Sequence, residues 1–310
     1  MMPTAVRDPI ETVDEQTWLI GGRLLLSRTS NQTPKEHGVI PGDTDDHSYS
    51  LRELDGSPPH AQASPSQPFP LVYDVGDAHA AWKIGKAYLK IVKSESPHVA
   101  REHSILHAMH QLEISFDLSL PRVLYRGEWD DRYYLITSEV SGQTLDRAWP
   151  QMDEAARTKC VKQVTEFCIK LSSFEGSRIE CLGGGHLPEY YLTKSQEHTH
   201  DSFSPETLLE NCKNAGMDCS TLHLYHCDLG PGNIIVDLER DTMGIIDFED
   251  VGYVPKAWVR TKFRVSAGHD FNDIPWGDEA RHEWRVRVQR ALGEEGFPDA
   301  AESYMEWRRK

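Results

Sequence analysis

Apolar and polar residues alternate in short runs between residues 82 and 140, and this pattern predicts strands. Trp82–Gly85 and Ala87–Val92 meet at the dipeptide Gly85-Lys86, which is typical of a β-hairpin. Two more strand-like runs, at residues 122–125 and 133–140, flank an acidic turn. The four runs together predict a small sheet.

The periodicity changes from strand to helix after the hairpin. Ser96-Pro97 is a typical helix start, with serine as the N-cap and proline at the first helical position. Glu102 lies on the apolar stripe of this helix, and a carboxylate on a buried face needs a partner. Lys90 on the neighbouring strand offers one. The alternative is that Glu102 lies at the edge of the stripe and contacts water. The stripe itself consists of Val99, Leu106 and Met109.

Helical patterns dominate the rest of the chain. Residues 151–172 have the spacing of a long amphipathic helix, and Ser204 is the expected cap of another helix over 205–215. A strand-rich part followed by a helix-rich part predicts the α+β class. We therefore expect a small β-rich N-lobe at 71–140 and a larger helical C-lobe at 141–310.

The first 70 residues read as a leader to these lobes. Residues 10–28 contain a short helix-like patch around Trp18, Leu19 and Leu24, for which packing against the main body is the simplest role. Residues 41–70 are rich in proline, serine, aspartate and glycine and lack an apolar period. Such a segment buries too little surface to offset its ordering entropy, so we predict a mobile linker, disordered at least in part.

The net charge narrows the classes of partner. The 310 residues include 33 Lys and Arg against 49 Asp and Glu, giving a formal charge of −16. This balance argues against a nucleic-acid partner, which normally requires a basic patch. It also suits a cationic substrate, although an acidic surface more commonly serves solubility.

The sequence predicts a cytoplasmic protein with no membrane partner. Its longest apolar runs are far too short to span a bilayer, and its N-terminus has no secretory-signal pattern. The six cysteines have no C-x-x-C spacing and form no compact Cys/His cluster of the kind zinc needs. We expect reduced thiols. The sequence leaves the oligomeric state open.

The stretch 222–250 carries the most specific chemistry. His226 and Asp228 end an apolar run, Asn233 follows five residues after Asp228, and Asp247 ends a predicted strand pair at 234–237 and 243–246. Phosphoryl transfer needs an acceptor hydroxyl held in line and cations on the phosphate oxygens. An aspartate in a loop can take or orient the hydroxyl proton, and Asn233 and Asp247 can hold Mg²⁺ through oxygen atoms.

At this point the chain resembles the aminoglycoside phosphotransferase/choline kinase family, in particular its fungal members. The resemblance covers roughly residues 72–265. It rests on the segments WKIGKAYLK (82–90), REH (101–103), YYLITSEVSGQTLDRAW (133–149), HCDLGPGNIIV (226–236) and IIDFEDVGYVPKAW (245–258). The resemblance implies a bilobal protein-kinase-like fold, with ATP between a β-rich N-lobe and a helical C-lobe.

The resemblance also implies roles for individual residues. Lys90 would pair with the ATP phosphates and be positioned by Glu102, and Asp228 would be the catalytic base. The Mg²⁺ ligands would be Asn233 and Asp247. The backbone of the hinge would hold adenine, and His226 would be a structural, hydrogen-bonding residue of the catalytic loop. The hinge consists of Ser138, Glu139 and Val140.

The phosphate acceptor is expected near Asp228 and the loop after Asp247. Acidic and aromatic residues there suit an amine or quaternary ammonium group through ion pairing and cation–π contact. The alternative is that the aromatic residues pack internally and the carboxylates are solvated. The candidate acceptor residues are Glu249, Asp250, Tyr253 and Trp258.

Departures from protein-kinase patterns favour a small-molecule acceptor. The N-lobe has no G-x-G-x-x-G, Cys227 occupies the place of the arginine next to the catalytic aspartate, and no A-P-E follows Asp247. We therefore predict an ATP- and Mg²⁺-dependent kinase for a hydroxyl of a small metabolite or aminoglycoside-like compound, with a cationic acceptor as one option. The alternatives are an inactive pseudoenzyme or interaction module that keeps the kinase fold, and third, a protein kinase.

Overall fold

The computed structural model describes residues 6, 8–30, 38–63, 68–94, 98–194, 200–271 and 278–310. Contacts divide the chain into two units. The first comprises Met1–Glu95 and Pro121–Glu139, and the second comprises Ser96–Leu120 and Val140–Lys310. Within the described ranges, no helix combines the length and the apolar character needed to cross a membrane.

A six-stranded antiparallel sheet forms the first part of unit 1. The strands are β1 (Ile10–Asp14), β2 (Thr17–Ile20), β3 (Leu24–Ser30), β4 (Val39–Pro41), β5 (His47–Glu53) and β6 (Gln62–Ala63). Their order in the sheet is β4-β5-β3-β2-β1-β6. We call this the N-terminal sheet.

The N-terminal sheet corrects both expectations for the leader. The helix-like patch at 10–28 is wrong, because Leu19 on β2 pairs with Leu25 on β3 in a hairpin. The linker prediction is wrong for 47–53, because β5 pairs with β3 along its length and buries Tyr49. Pairing supplies the backbone hydrogen bonds, so few apolar side chains are enough to order the strand. Residues 64–67 of that segment lie outside the described residues.

The second sheet of unit 1 contains the predicted hairpin. Its order is β10-β11-β9-β8-β7, all antiparallel. The alternation predicted for β9 is confirmed: Leu89 and Ile91 are buried, whereas Lys90 is half-buried. The strands are β7 (Leu71–Val75), β8 (His79–Ile84), β9 (Ala87–Lys93), β10 (Val123–Trp129) and β11 (Arg132–Ser138).

The two sheets of unit 1 share one hydrophobic core. Leu26 and Ile40 from the N-terminal sheet pack with Trp82 and Leu89 from the second sheet, and all four side chains are almost fully buried. The Trp129 indole nitrogen donates a hydrogen bond to the Gly21 carbonyl at 2.7 Å. The segment before residue 71 is therefore an integral part of the unit that carries Lys90.

Unit 2 is mainly helical. Its helices are α1 (Glu102–Gln111), α2 (Leu145–Ala148), α3 (Glu154–Ser172), α4 (Pro205–Asn214), α5 (Lys256–Val265), α6 (Asp278–Glu294) and α7 (Ala301–Arg309). One small sheet joins β12 (Gln143–Thr144), β15 (Ile234–Asp237) and β16 (Thr242–Ile245). Another joins β13 (Glu175–Gly176), β14 (Leu222–His226) and β17 (Val251–Pro255).

The two helix starts predicted from the sequence have different outcomes in the structure. The Ser204 hydroxyl caps α4 by accepting from the Thr207 amide at 3.3 Å, which confirms that prediction. The predicted start of α1 at Ser96-Pro97 lies outside the described residues. The helix itself begins at Glu102, and Val99 instead forms a bridge with His186.

Candidate active site

Asp228 and Asn233 face each other across one tight loop. Strand β14 ends at His226, and a short 3-10 helix covers Pro231–Asn233. The Asn233 side-chain amide donates to the Asp228 carbonyl at 2.9 Å and to the Asp228 carboxylate at 2.7 Å. One residue thus fixes both the backbone and the side chain of Asp228.

The buried His226 stabilises this loop through hydrogen bonds and packing. Its ring is fully buried, and it packs edge-on against Phe248 with 5.0 Å between ring centroids. Nδ1 accepts from the Asp228 amide at 3.2 Å, which leaves Nε2–H to donate to the Ile246 carbonyl at 3.3 Å. Burial lowers the pKa of His226, in agreement with this neutral tautomer. The geometry fits the structural role expected for this histidine.

The electrostatics at Asp228 are a balance of opposing effects. Burial raises the pKa of its carboxyl. The nearby Asp247 carboxylate acts in the same direction, whereas the Lys262 charge and the hydrogen bond from Asn233 lower the pKa. Asp228 is therefore a partly desolvated carboxylate with a raised pKa, which suits a group that accepts a hydroxyl proton.

Asp247 lies in the loop directly after β16. Its backbone is left-handed, with φ 65° and ψ 66°. Aspartate adopts this conformation more readily than most residues, because its short polar side chain can bond locally. The Ile246 amide donates to the Asn233 carbonyl at 3.0 Å, so the loops that carry Asn233 and Asp247 are tied to each other.

Three carboxylates converge around this loop. Glu102, Asp247 and Glu249 each present an oxygen within 4.8 Å of the others. Glu102 is 6% exposed, and its Oε1 accepts from the Phe248 amide at 3.1 Å. Like charges so close are unfavourable unless a cation offsets them. Carboxylate oxygens are the ligands that Mg²⁺ prefers, so this donor set fits a divalent cation.

The ligand set of the carboxylate cluster was only partly visible in the sequence. The sequence predicts Asp247 as a ligand, but it predicts Glu249 at the acceptor site and Glu102 as the partner of Lys90. The spacing of Asp247 and Glu249, two residues apart at a hairpin end, is the signal that points to a shared site. Lys90 belongs to unit 1 and Glu102 to unit 2, so their pairing stays a prediction.

The predicted hinge begins where β11 ends. The Ser138 hydroxyl accepts from the Arg122 amide at 2.9 Å, and the Glu139 amide donates to the Lys86 carbonyl at 2.9 Å. Val140 opens unit 2 and is 7% exposed. Their contacts with a nucleotide stay a prediction.

The candidate acceptor residues divide into accessible and buried ones. Trp258 has no exposed surface, and its indole nitrogen donates to Glu189 at 3.2 Å, which supports the packing alternative for this residue. Tyr253 is half-buried, with its ring against Gly176. Burial, reinforced by the Glu249 charge, raises the pKa of Asp250 well above its usual range. Within the described chain, Asp250 Oδ1 is buried with no hydrogen-bond partner.

A buried ion pair near Asp228 was missed at the sequence level. The Lys262 ammonium lies 2.7 Å from both oxygens of Glu189, and the two side chains are 6% and 1% exposed. Lys262 follows Trp258 by four residues on α5, so the two side chains lie on the same face of the helix. That spacing next to a buried tryptophan is the signal that could have identified it.

The sequence profile of the phosphotransferase enzyme family matches residues 70–258. This range covers more than half of the chain and includes the loops of Asp228 and Asp247. The chain belongs to this family. No curated protein sequence matches it.

Solved structures share the fold of this phosphotransferase. Aminoglycoside phosphotransferase APH(4)-Ia aligns over 78% of this chain and 83% of its own, with 14% identity and a TM-score of 0.51. A thermostable mutant of APH(4)-Ia, in ternary complex with AMP-PNP and hygromycin B, aligns over 78% of this chain and 83% of its own, with 16% identity and a TM-score of 0.50. APH(3'')-Id from Streptomyces rimosus ATCC10970 aligns over 77% and 91%, with 21% identity and a TM-score of 0.43. The first two confirm the predicted kinase-like α+β fold.

Proposed function

We propose that this protein transfers the γ-phosphate of ATP to a hydroxyl group of a small molecule, with Mg²⁺ as cofactor. The observation that carries the proposal is the Asp228 loop, tied through Asn233 to the loop of Asp247 and Glu249, around which the three carboxylates converge. Family membership supports the phosphotransferase class, and nucleotide binding is supported by the neighbour solved with AMP-PNP.

Asp228 is placed to act on the acceptor hydroxyl. Its carboxylate accepts one hydrogen bond from Asn233, which sets its direction, and one oxygen remains to accept the hydroxyl proton. As the acceptor oxygen forms its bond to the γ-phosphorus, the bond to the β–γ bridging oxygen breaks, ADP leaves, and the proton passes to Asp228. Little covalent help is needed beyond this positioning.

The cation site follows from the carboxylate cluster. Glu102, Asp247 and Glu249 would hold Mg²⁺ together with the Asn233 side-chain oxygen. The nitrogen of the same side-chain amide already donates a hydrogen bond to Asp228. Bound there, Mg²⁺ would supply positive charge to the phosphate oxygens. Lys90 would add a second positive charge from β9.

We propose a polyhydroxylated or cationic metabolite as the acceptor class. The neighbour complex contains hygromycin B, and in this chain Glu249 contributes a partly accessible carboxylate two residues after Asp247. A carboxylate at this position favours an ammonium group through ion pairing. A substrate panel should therefore include amino sugars, amino alcohols and neutral polyols.

The test is Asp228→Asn, assayed by ADP release with the acceptor panel. The variant keeps the size and the hydrogen bond but cannot take a proton, so kcat should fall about 100- to 10,000-fold. ATP binding measured by calorimetry should stay close to wild type. Asp218→Asn, an exposed aspartate in the loop before β14, is the matched control and should keep full activity.

Two outcomes would contradict the proposed function. If wild-type protein binds ATP with Mg²⁺ but releases no ADP with any acceptor, the inactive pseudoenzyme alternative is favoured. If Asp228→Asn keeps its rate in an active preparation, Asp228 is not the base.

A further inference from the structure

The N-terminal sheet lies entirely outside the range that matches the family, yet it contacts the hairpin that carries Lys90. The family match begins at residue 70, whereas the sheet ends at Ala63. One contact point is the turn between β8 and β9, at Gly85 and Lys86. This turn also contacts the predicted hinge, because the Glu139 amide donates to the Lys86 carbonyl.

Gly85 brings two backbones unusually close. Its φ is +53°, and a Cβ there would lie 2.3 Å from the Pro41 carbonyl oxygen and 3.1 Å from the Gly42 Cα. Only a glycine fits both the left-handed conformation and the close approach. The Lys86 amide then donates to the same Pro41 oxygen at 2.9 Å. The turn is therefore docked on the end of β4 by backbone contacts.

The carbonyl group of Lys86 contacts the hinge, because it accepts a hydrogen bond from the Glu139 amide at 2.9 Å. The backbone of Lys86 thus donates to the N-terminal sheet and accepts from the hinge. A continuous hydrogen-bonded path leads from Pro41 to Glu139 within unit 1.

A side-chain contact runs parallel to this backbone path. The Lys83 ammonium lies 3.0 Å from a Glu139 carboxylate oxygen and 3.9 Å from an Asp43 carboxylate oxygen. The Lys83 side chain is 35% exposed and that of Glu139 20% exposed. The hydrogen bond with Glu139 raises the pKa of Lys83, so the ammonium is charged at neutral pH. Lys83 therefore bridges the N-terminal sheet and the hinge.

We propose that the N-terminal sheet is a brace for the nucleotide-binding hinge, and that Lys83 is the positioning residue that links Asp43 to Glu139. This inference rests on the proposed function, because it assigns adenine to the backbone of Ser138–Val140. Glu139 is held by its amide and its carboxylate at once, which limits the conformations open to its backbone. A hinge that is ordered before binding loses less entropy when ATP binds.

The brace makes a specific kinetic prediction. Lys83 and its ion-pair partners Asp43 and Glu139 belong to unit 1, whereas the Asp228 loop and the carboxylate cluster belong to unit 2, so its loss should weaken ATP binding without slowing transfer. Lys83→Met keeps the aliphatic stem and removes the charge. We expect the Kd and the KM for ATP to rise about three- to fivefold, as for loss of a partly exposed ion pair. The kcat at saturating ATP and the KM for the acceptor should stay unchanged.

Rescue and control variants separate positioning from general stability. Lys83→Arg keeps a cation in reach of Glu139 and should restore ATP affinity to near wild type. Lys93→Met removes an exposed lysine at the far end of β9 and should leave the Kd for ATP unchanged. Gly85→Ala should push the turn away from Pro41 and weaken ATP binding more than Lys83→Met does. Thermal unfolding of each variant checks that it is folded at the assay temperature.

The outcomes of this experiment are distinct. Weaker ATP binding in Lys83→Met, with rescue by arginine and an unchanged kcat, supports the brace. A lower unfolding temperature with an unaltered Kd would show that Lys83 is merely structural and would overturn it. A fall in kcat of the folded variant would also overturn it. If wild-type protein binds no ATP at all, the proposed function fails and the brace fails with it.

Discussion

At the scale of the single residue, Asn233 has one observed task and one proposed task. Its side-chain nitrogen donates twice to Asp228, and in the proposed function its side-chain oxygen binds the cation. These tasks use opposite ends of one amide, so no shorter or simpler side chain replaces it. Asn233→Ala should therefore affect both the direction of Asp228 and the requirement for Mg²⁺.

For Asn233→Ala we expect kcat to fall and the Mg²⁺ concentration at half-maximal rate to rise, the latter at least about tenfold. Steady-state rates measured across a Mg²⁺ series separate these two effects. The matched control is Asn211→Ala on α4, whose amide also donates to a backbone carbonyl, that of Leu192, at 2.9 Å. The control should keep the wild-type Mg²⁺ dependence. An unchanged Mg²⁺ dependence in Asn233→Ala would remove Asn233 from the ligand set.

At the residue scale, the sequence was informative where spacing alone implies proximity. Asp228 and Asn233 lie five residues apart in one loop, so a hydrogen bond between them follows from local geometry. The hydrogen-bond partners of Glu102 and Trp258 do not follow from spacing in the sequence. Phe248, which donates to Glu102, is 146 residues away along the chain, and Glu189, which accepts from Trp258, is 69 residues away. Contacts over such separations depend on the tertiary fold.

At the scale of elements, periodicity identified the strands that alternate and missed those that do not. The hairpin of β8 and β9 buries every second residue, so its pattern was clear. Strand β3 begins with three consecutive buried residues, Leu24–Leu26, because it lies in the middle of the N-terminal sheet. A short apolar run of this kind does not distinguish a buried strand from a helix.

Helix α5 is anchored by the buried pair of Lys262 and Glu189. Removing one partner of such a pair leaves an uncompensated buried charge, so Lys262→Met should lower the free energy of unfolding by about 3–5 kcal/mol. Adding Glu189→Gln removes that charge and should recover a large part of the loss. Urea unfolding of the wild type, the two single variants and the double variant measures the coupling. Strictly additive effects would contradict a direct interaction.

At the scale of the whole molecule, the folded part of the chain is longer than the part that matches the family. The family match covers 70–258, while the N-terminal sheet and helices α6 and α7 lie outside it. Charged residues occur both inside and outside the matched range, so the net charge of −16 does not indicate the role of either part. The N-terminal part outside the match nevertheless contributes half of the buried core of unit 1 and is linked to the hinge through Lys83 and Lys86. Its removal would expose that core.

At the scale of the whole fold, two buried histidines contribute to the pH dependence of stability on the acidic side of neutrality. His226 and His269 have no exposed surface, and burial lowers the pKa of both, that of His269 well below its usual range. Neither ring nitrogen of His269 has a hydrogen-bond partner among the described residues. On unfolding, each ring becomes free to bind a proton at its ordinary pKa of about 6.5.

Below pH about 6.5, each of these two histidines therefore binds more protons in the unfolded state than in the folded state, so its contribution to stability decreases as the pH falls through that value. Each histidine contributes a slope of up to about 1.4 kcal/mol per pH unit. His269→Phe keeps a ring against Phe263 and removes one titrating group, so the slope of unfolding free energy between pH 5 and pH 6.5 should decrease by about that amount. Urea unfolding at several pH values measures it, with the exposed His107→Gln as the control. An equal slope in wild type and His269→Phe would mean that His269 takes up its proton in the folded protein, which its complete burial next to the Lys262 charge opposes.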